Sequence, residues 1–282
     1  MRVRYSFSAR KRTRVMARDN KHKVAFPKLV LEVVRISDVI LEVLDARFPE
    51  ETRNSELENA IKEKGKKIIY VLNKSDMVDV DKIKKKIELL DLYPFVFVSC
   101  LSRKGAGDLR DRIKIEVKDI AGKSENFHRK QVGIIGYPNT GKSSIINLLT
   151  GRSSAKTAAE AGYTKGIQKI KLAKDILILD TPGVIPDKED STKNKKDLTK
   201  HTQIGVRTYD RVKSPDMVVY ELMKKFPDVI EKFYGFDVKG DSEALIEKLG
   251  RKRGILRRGN EVDVDRTARS ILKDWQDGKI RI

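Results

Sequence analysis

The stretch VGIIGYPNTGKSSIINLL, residues 132–149, decides the fold of this chain. An apolar, β-branched run comes first and a helix-compatible run follows, with residues 136–143 between them in the pattern G-x-x-x-x-G-K-[ST]. Glycines let the backbone turn so that several N–H groups point at one anion, and the first turn of the helix adds its partial positive charge. The stretch therefore predicts a phosphate-binding loop between a strand and a helix.

The residue types in this loop indicate a nucleotide bound together with a magnesium ion. Lys142 is expected to reach the β- and γ-phosphates, where it would act in catalysis, and Ser143 is expected to ligate Mg²⁺. The other predicted nucleotide contacts of the loop are Asn139, Thr140, Gly141 and Ser144.

A second phosphate motif, DTPG at residues 180–183, follows the apolar run ILIL. A carboxylate at a strand end can hold a metal ion through water, so Asp180 is a predicted magnesium ligand. Gly183 leaves room for its backbone N–H to approach the γ-phosphate, which makes it a predicted catalytic position. Thr164 is the candidate for a switch threonine that contacts Mg²⁺ only when the γ-phosphate is present, and Thr157 is the alternative.

A base-recognition motif, NKSD, follows the apolar run IIYVL and consists of Asn73, Lys74, Ser75 and Asp76. Asp76 can accept two hydrogen bonds from N1–H and the 2-amino group of guanine, whereas adenine offers no such pair of donors. Asn73 is expected to bond the base edge and to tether the phosphate loop, while the stem of Lys74 covers the ring.

A turn formed by Ser99, Cys100 and Leu101 strengthens the prediction of guanine specificity. It follows the apolar run FVFV and resembles the Ser-Ala-Lys loop whose backbone N–H reads guanine O6. Both base motifs stand at the ends of predicted strands, so the chain is predicted to bind GTP and GDP rather than ATP.

The nucleotide motifs occur in circularly permuted order. In ordinary GTPases the phosphate motifs come first, whereas here the base motifs at 73–76 and 99–101 precede the phosphate motifs at 136–143 and 180–183. The same sheet can form if the ordinary termini are joined and new ones open after the switch region, because domain termini often lie close together. The loop after Gly183 then leads directly into the C-terminal part of the chain.

Apolar runs alternate with amphipathic stretches, which predicts an α/β fold with a doubly wound, mostly parallel sheet. Five runs rich in Val and Ile are interpreted as buried strands, at residues 39–44, 68–72, 95–98, 132–135 and 176–179. Two of the stretches between them, 81–90 and 143–149, are helix-compatible. Helices are therefore expected on both faces of the sheet.

Composition and motif order predict a basic arm at 1–25, a circularly permuted GTPase domain at 26–186, a polar switch and linker loop at 187–203 and a small helical domain at 204–282. The linker DKEDSTKNKKDLTKH cannot bury itself, which predicts a mobile loop. In the helical domain the predicted helix starts are Ser214-Pro215, Asp241 and Asp263, the predicted helix end is Gly235, and Trp275 is the predicted core anchor.

Charge indicates the class of partner. The 282 residues include 61 Lys and Arg against 41 Asp and Glu, a formal net charge of +20, which favours a polyanion and most often nucleic acid. No basic amphipathic anchor or lipidation signal favours a membrane surface, and the single cysteine is typical of a reducing, cytoplasmic environment. The predicted RNA contacts are Arg251, Lys252, Arg253, Arg257 and Arg258.

From about residue 37 onward the chain resembles the circularly permuted GTPases of the YlqF/YawG group. The resemblance rests on VLDARFPEETRN, VLNKSDM, VSCLSRKG, VGIIGYPNTGKSSIINLL, ILDTPGV and KRGILRRGNEVDVDRTARSILKDWQDGKI. It implies GTP hydrolysis, a role in assembly of the large ribosomal subunit and a helical domain that binds rRNA. The bacterial branch carries an aromatic-Pro-Gly-His-Met motif that has no match here, so no catalytic histidine is assigned.

Two single positions follow from the same resemblance. Val184 stands after DTPG, where many GTPases hold a water-orienting Gln, so intrinsic hydrolysis is expected to be slow. Asn139 resembles the asparagine that coordinates potassium in cation-activated GTPases, which implies K⁺ beside Mg²⁺. Two alternatives stay open: a GTP-dependent factor that acts on another RNA, in tRNA modification or translation, and a signalling switch that binds no RNA.

Overall fold

The computed structural model describes residues 19–121, 129–151, 167–181, 183, 185 and 195–282. Its strands are Val39–Asp45 (β1), Lys67–Asn73 (β2), Phe95–Phe97 (β3), Lys130–Ile135 (β4), Gln168–Ala173 (β5) and Ile176–Asp180 (β6). They form one sheet in the order β3-β2-β1-β4-β6-β5. All neighbouring strands run parallel except β5, which runs antiparallel to β6. The predicted mostly parallel sheet is confirmed.

The five predicted strands lie within two residues of their expected bounds. They could be read from the sequence because both faces of the sheet are covered, so that β1 is buried along its whole length. The apolar pattern did not predict β5, where Lys169 and Lys171 are exposed and Ile170 is the buried side chain. Lysines on an edge strand also hinder pairing with another chain.

Helices cover both faces of the sheet. They are Asp19–Ile36 (α1), Pro49–Thr52 (α2), Ser55–Glu63 (α3), Val80–Leu89 (α4), Ala106–Ala121 (α5) and Lys142–Thr150 (α6). Leu109 of α5 and Ile145 of α6 belong to the apolar cluster on one face, and Ile61 of α3 and Ile87 of α4 belong to the cluster on the other. This two-sided packing is the doubly wound arrangement that the alternating pattern predicts.

Residues 195–282 form a helical domain. Its helices are Lys195–Gln203 (α7), Pro215–Lys225 (α8), Pro227–Tyr234 (α9), Ser242–Arg253 (α10) and Val264–Gln276 (α11). Trp275 is buried in its core, as the sequence predicts, but that core also contains Phe48 and Tyr137 of the α/β domain. The rings of Phe48 and Trp275 have centroids 5.9 Å apart. The two domains therefore share one apolar core.

The helix signals of this domain are present in the structure. Pro215 occupies the first turn of α8 behind Ser214, and Gly235 closes α9 in the left-handed conformation with φ 71°. The carboxylates of Asp241 and Asp263 accept backbone hydrogen bonds at the starts of α10 and α11.

The prediction of a loop at 187–203 is wrong for residues 195–203, which form α7. His201, Thr202 and Gln203 are buried, and the indole N–H of Trp275 donates to the Gln203 carbonyl over 3.0 Å. Polar composition suggested a solvated loop, but contacts with α8 and α11 bury this end of the helix. Residues 187–194 lie outside the described residues.

The predicted arm at 1–25 also differs from the structure at its end, because α1 begins at Asp19. The later turns of α1 bury Val30 and Val34 against the sheet, and the helix extends from them toward the N-terminus. Residues 1–18 lie outside the described residues, so the prediction of a flexible arm there stays a prediction.

Candidate nucleotide site

The predicted motifs meet at the carboxyl ends of the central strands. NKSD spans the end of β2, the phosphate loop follows β4 and DTPG begins at the end of β6. The strand order reverses between β1 and β4, and ligands of open α/β sheets bind in the crevice at such a point. Motifs that are permuted in the sequence are therefore neighbours in space.

The phosphate loop holds its charged lysine in a cradle of backbone carbonyls. The Lys142 ammonium donates to the carbonyl oxygens of Gly136 and Tyr137, over 3.0 and 2.7 Å. Burial lowers the pKa of Lys142 to about 8, against the opposing effect of the Asp180 carboxylate. An anionic phosphate would favour the charged form further, so this lysine is placed where a bound anion would raise its pKa.

The predicted magnesium ligands lie together at the end of β6. Asp180 is buried, and its Oδ1 has no hydrogen-bond partner among the described residues. Burial raises the pKa of Asp180, although Lys142 and hydrogen bonds from the Thr181 backbone and the Ser143 hydroxyl lower it. A buried, unpartnered carboxylate oxygen beside a hydroxyl fits a hard divalent cation that is bound directly and through water.

Gly183 lies against the phosphate loop, while the prediction that its N–H approaches the γ-phosphate stays a prediction. A Cβ atom at this position would lie 2.7 Å from the backbone nitrogen of Pro138, so any side chain would push the two segments apart. Thr164, Thr157 and Val184 lie outside the described residues, and their predicted roles stay predictions.

The base motif is tied to the phosphate loop. The Asn73 side-chain amide donates to the Thr140 carbonyl over 2.8 Å, which is the predicted tether. The Thr140 hydroxyl in turn donates to the Tyr137 carbonyl over 2.9 Å. Lys74 has φ 62°, in the left-handed region, and its ammonium lies 2.6 Å from Asp45.

Ser99 of the second base motif holds Asp76 of the NKSD motif in place. The Ser99 hydroxyl donates to Asp76 Oδ1 over 2.5 Å and accepts the Ser102 backbone N–H over 3.1 Å. Burial raises the pKa of the half-buried Cys100 thiol to about 11, and the Asp76 carboxylate adds to this effect. Cys100 is therefore a neutral thiol at neutral pH and forms a wall of the site rather than a nucleophile.

The two base motifs and part of the phosphate loop line one cavity of about 390 Å³. Part of its lining consists of predicted nucleotide contacts: Asn73, Lys74, Asp76, Cys100, Leu101, Asn139, Gly141 and Ser144. The sequence motifs do not predict the rest of the lining, which is Arg47, Met77, Gly205, Thr208, Tyr209, Gln276 and Asp277. Arg47 falls in the stretch VLDARFPEETRN, whereas the helical-domain residues carry no local signal, because only the tertiary fold brings them here.

Asn139, the predicted potassium ligand, contacts Gly205, one of the cavity-lining residues that the sequence motifs do not predict. Its side-chain nitrogen donates to the Gly205 carbonyl over 2.6 Å. Because K⁺ binds oxygen, the amide oxygen is the atom that a cation would need. This contact joins the phosphate loop to the segment between α7 and α8.

Arg47 and Lys74 share one buried carboxylate. Arg47 Nη2 lies 2.8 Å from Asp45 Oδ2, and both side chains are almost fully buried. Burial opposes ionisation of Asp45, but the Lys74 and Arg47 cations outweigh it and hold the pKa of that carboxyl well below its usual range. Arg47 also donates to the Trp275 carbonyl over 3.2 Å, which connects the base site to the helical domain.

The five predicted RNA contacts fall into two groups. Arg253 donates to Asp274 over 2.8 Å and stacks on Tyr234, and the Lys252 ammonium lies 5.0 Å from the Phe236 ring centroid. These two cations therefore pack the helical domain together. All five are exposed, but Arg251, Arg257 and Arg258 have no recorded ring contact among the described residues, and their recorded partners are Glu247 for Arg251 and Asp263 for Arg257.

Comparison with known proteins agrees with this geometry. Residues 131–232 match the family model described as 50S ribosome-binding GTPase. An uncharacterized GTP-binding protein of Methanocaldococcus jannaschii is 43% identical over 92% of this chain and 66% of its own length. Nucleolar GTP-binding protein 2 of Neurospora crassa is 36% identical over 88% of this chain and 40% of its own length. The chain thus spans less than two thirds of these relatives.

A solved structure shares the fold. The GDP-bound structure of YlqF from Thermotoga maritima superposes with a TM-score of 0.62 at 23% identity, over 89% of this chain and 95% of that one. The fold and the site define a P-loop protein of the GTPase class whose motifs are circularly permuted. The chain therefore shares the fold of YlqF, and its relatives in sequence carry the names of GTP-binding proteins. Within the described residues, every helix is too short or too polar to span a bilayer.

Proposed function

We propose that this protein binds GTP with Mg²⁺ and hydrolyses it to GDP and phosphate. The observation that carries the proposal is that Asp76, held by Ser99, lines one cavity together with Gly141 and Ser144 of the phosphate loop. A carboxylate fixed in this way can accept the paired N–H donors of guanine, and ATP would leave it without partners. The matching family model and the relatives' names support the nucleotide.

Several residues of this chain would each have a separate role in phosphoryl transfer. Ser143, and Asp180 through water, would hold Mg²⁺, which would supply positive charge beside the phosphate oxygens. Lys142 would neutralise the β- and γ-phosphates, and the Gly183 N–H would donate to the γ-phosphate, with Thr164 as the switch ligand. If Val184 occupies the position of the water-orienting residue, it supplies no hydrogen bond, and intrinsic turnover is slow.

Potassium dependence tests the role of Asn139. We expect turnover to rise when K⁺ replaces Na⁺ in wild-type protein, because the Asn139 amide oxygen would coordinate the larger cation beside the phosphates. The stimulation should vanish in Asn139→Ala, measured as phosphate release in matched chloride salts. Equal wild-type rates in the two salts would remove K⁺ from the mechanism.

We further propose that the protein assists assembly of the large ribosomal subunit by binding rRNA. The net charge of +20, the description of the matching family model and the nucleolar name of one relative support this role. Arg251, Arg257 and Arg258 present exposed cations that fit phosphate oxygens, and such binding weakens steeply as salt rises. Within this proposal the protein acts in the cytosol, which fits its free thiol.

Co-sedimentation with ribosomal particles tests this role. Wild-type protein should co-sediment with the large subunit or its precursors more strongly with a non-hydrolysable GTP analogue than with GDP. Replacing Arg251, Arg257 and Arg258 by Gln should abolish association, whereas replacing the exposed lysines Lys82, Lys84 and Lys85 of α4 makes the same change in net charge and should not. Arg253 is left intact, because its loss would disturb folding.

Two results would contradict the ribosomal role. Normal association of the arginine triple variant at moderate salt would show that this segment is not the RNA contact. Preferential binding to tRNA over ribosomal particles would favour the alternative of a factor acting on another RNA, and no binding to any RNA would favour the signalling alternative.

A further inference from the structure

The residues at the end of α11 and beyond it, 275–282 (the 275–282 segment), press against the base-recognition motif. Met77 follows NKSD directly, and its side chain packs on Gly278, where a Cβ atom would lie 2.2 Å from Met77 Cε. The Ile282 N–H donates to the Met77 carbonyl over 3.2 Å. The turn that carries Asp76 is therefore held from outside by the helical domain.

A second contact joins the same segment to Lys74. The Trp275 carbonyl accepts a hydrogen bond from Arg47, whose guanidinium holds the Asp45 carboxylate. Asp45 in turn pairs with the Lys74 ammonium. An unbroken series of polar contacts therefore leads from the helical domain to the side chain predicted to cover the guanine ring.

A third contact reaches the phosphate side. The Gln276 side-chain amide donates to the carbonyls of Thr202 and Arg207 and accepts the Tyr209 N–H, so it fixes the loop that contains Gly205. Gly205 accepts the hydrogen bond from Asn139 of the phosphate loop. Gln276 and Asp277 also line the cavity itself.

The base motif needs such support, because its conformation is strained. Lys74 adopts the left-handed region at φ 62°, and Ser75–Met77 form only a single 3₁₀ turn. A non-glycine residue in this region costs about 1–2 kcal/mol and persists when surrounding contacts determine it.

We propose that the 275–282 segment is a positioning element of the guanine-nucleotide site, which holds the NKSD turn and closes one wall of the pocket. The inference rests on the proposed nucleotide binding and does not depend on RNA. Guanine-nucleotide affinity then requires the docked helical domain, and a bound nucleotide in turn stabilises the docked segment, because the coupling is reciprocal.

A pair of glycine substitutions tests this element. Gly278 and Gly235 both follow helices at nearly equal φ, 73° and 71°, but only Gly278 faces a neighbour within 4 Å. Gly278→Leu should raise the dissociation constant for fluorescent GDP about tenfold or more, whereas Gly235→Leu, with the same backbone strain, should change it less than twofold. Adding Met77→Ala to Gly278→Leu makes room for the leucine and should restore part of the affinity.

Hydrogen exchange on the wild-type protein gives a second readout that needs no variant. GDP should slow amide exchange in residues 276–282 as well as in the phosphate loop, residues 136–144. Protection of the phosphate loop alone, or equal GDP affinity in Gly278→Leu and wild type, would overturn the positioning role while leaving nucleotide binding intact. No GDP binding by wild-type protein would refute the proposed function, and the inference with it.

Discussion

The α/β domain and the helical domain differ in how they hold their charges. Around the nucleotide site, Asp45, Arg47, Lys142 and Asp180 are buried and meet one another or backbone groups. In the segment 251–258, the cations are exposed and form ion pairs or stack on aromatic rings. Buried charges set the stability and shape of a site, whereas exposed ones are available to a polyanion at little cost in folding.

The largest effect is expected where a buried pair is broken. Arg47→Met leaves Asp45 paired with Lys74 alone and should lower the free energy of unfolding by about 3–5 kcal/mol, measured by urea denaturation. The pKa of Asp45 is lowered in the folded protein, so its contribution is present at neutral pH and is lost as pH falls through that lowered pKa. An unfolding midpoint equal to that of wild type would contradict the structural role of this pair.

Glu42 is a buried carboxyl whose pKa is shifted in the opposite direction from that of Asp45. Burial, together with the negative charge of Glu58, raises its pKa to about 8, and its Oε2 has no partner among the described residues. The raised pKa means that its contribution to stability is present below the ordinary value and is lost as pH rises through about 8. Glu42→Gln keeps the acceptor for the Asn54 N–H and should stabilise the protein at pH 8 by on the order of 2 kcal/mol.

The control for this substitution is its pH dependence. At pH 5 the Glu42 carboxyl is already neutral in the folded protein, so the difference between Glu42→Gln and wild type should shrink there. A gain in stability that stays the same at pH 5 and pH 8 would show that charge is not its cause.

The smallest expected changes in stability distinguish two arginines of the helical domain. Arg253→Ala should cost about 1 kcal/mol of stability, because it removes the hydrogen bond to Asp274 and the stacking on Tyr234. Arg258→Ala should leave the urea midpoint unchanged, because Arg258 is exposed. If both variants unfold like wild type, the contrast within this segment is wrong.

Much of the fold and most of the nucleotide site could be predicted because their signals are local. Strands such as β2 contain continuous apolar runs, and Lys142, Asp180 and Asp76 stand in short motifs that follow strands. What the sequence did not predict depends on tertiary contacts. β5 has only one buried side chain. The sequence of α7 is polar, and the end of this helix is buried only because α11 packs against it.

The residues of the helical domain that line the pocket could not be predicted for the same reason, because only tertiary contacts bring them there. Gln276 and Asp277 lie about two hundred residues from the base motif along the chain, and no spacing rule connects them with it. Arg253 was predicted to bind RNA because its basic neighbours form a run, and nothing in that run shows that Asp274 and Tyr234 would engage it.

The most direct test of the account is a nucleotide competition with wild-type protein and Asp76→Asn. Wild type should bind GTP and GDP and discriminate against ATP. Asp76→Asn should lose roughly 30-fold to 1,000-fold in GTP affinity and gain affinity for xanthosine nucleotides, whereas Asp81→Asn, an exposed position on α4, should match wild type. Wild-type protein that binds ATP as tightly as GTP, or Asp76→Asn that keeps wild-type GTP affinity, would contradict the assignment of this site.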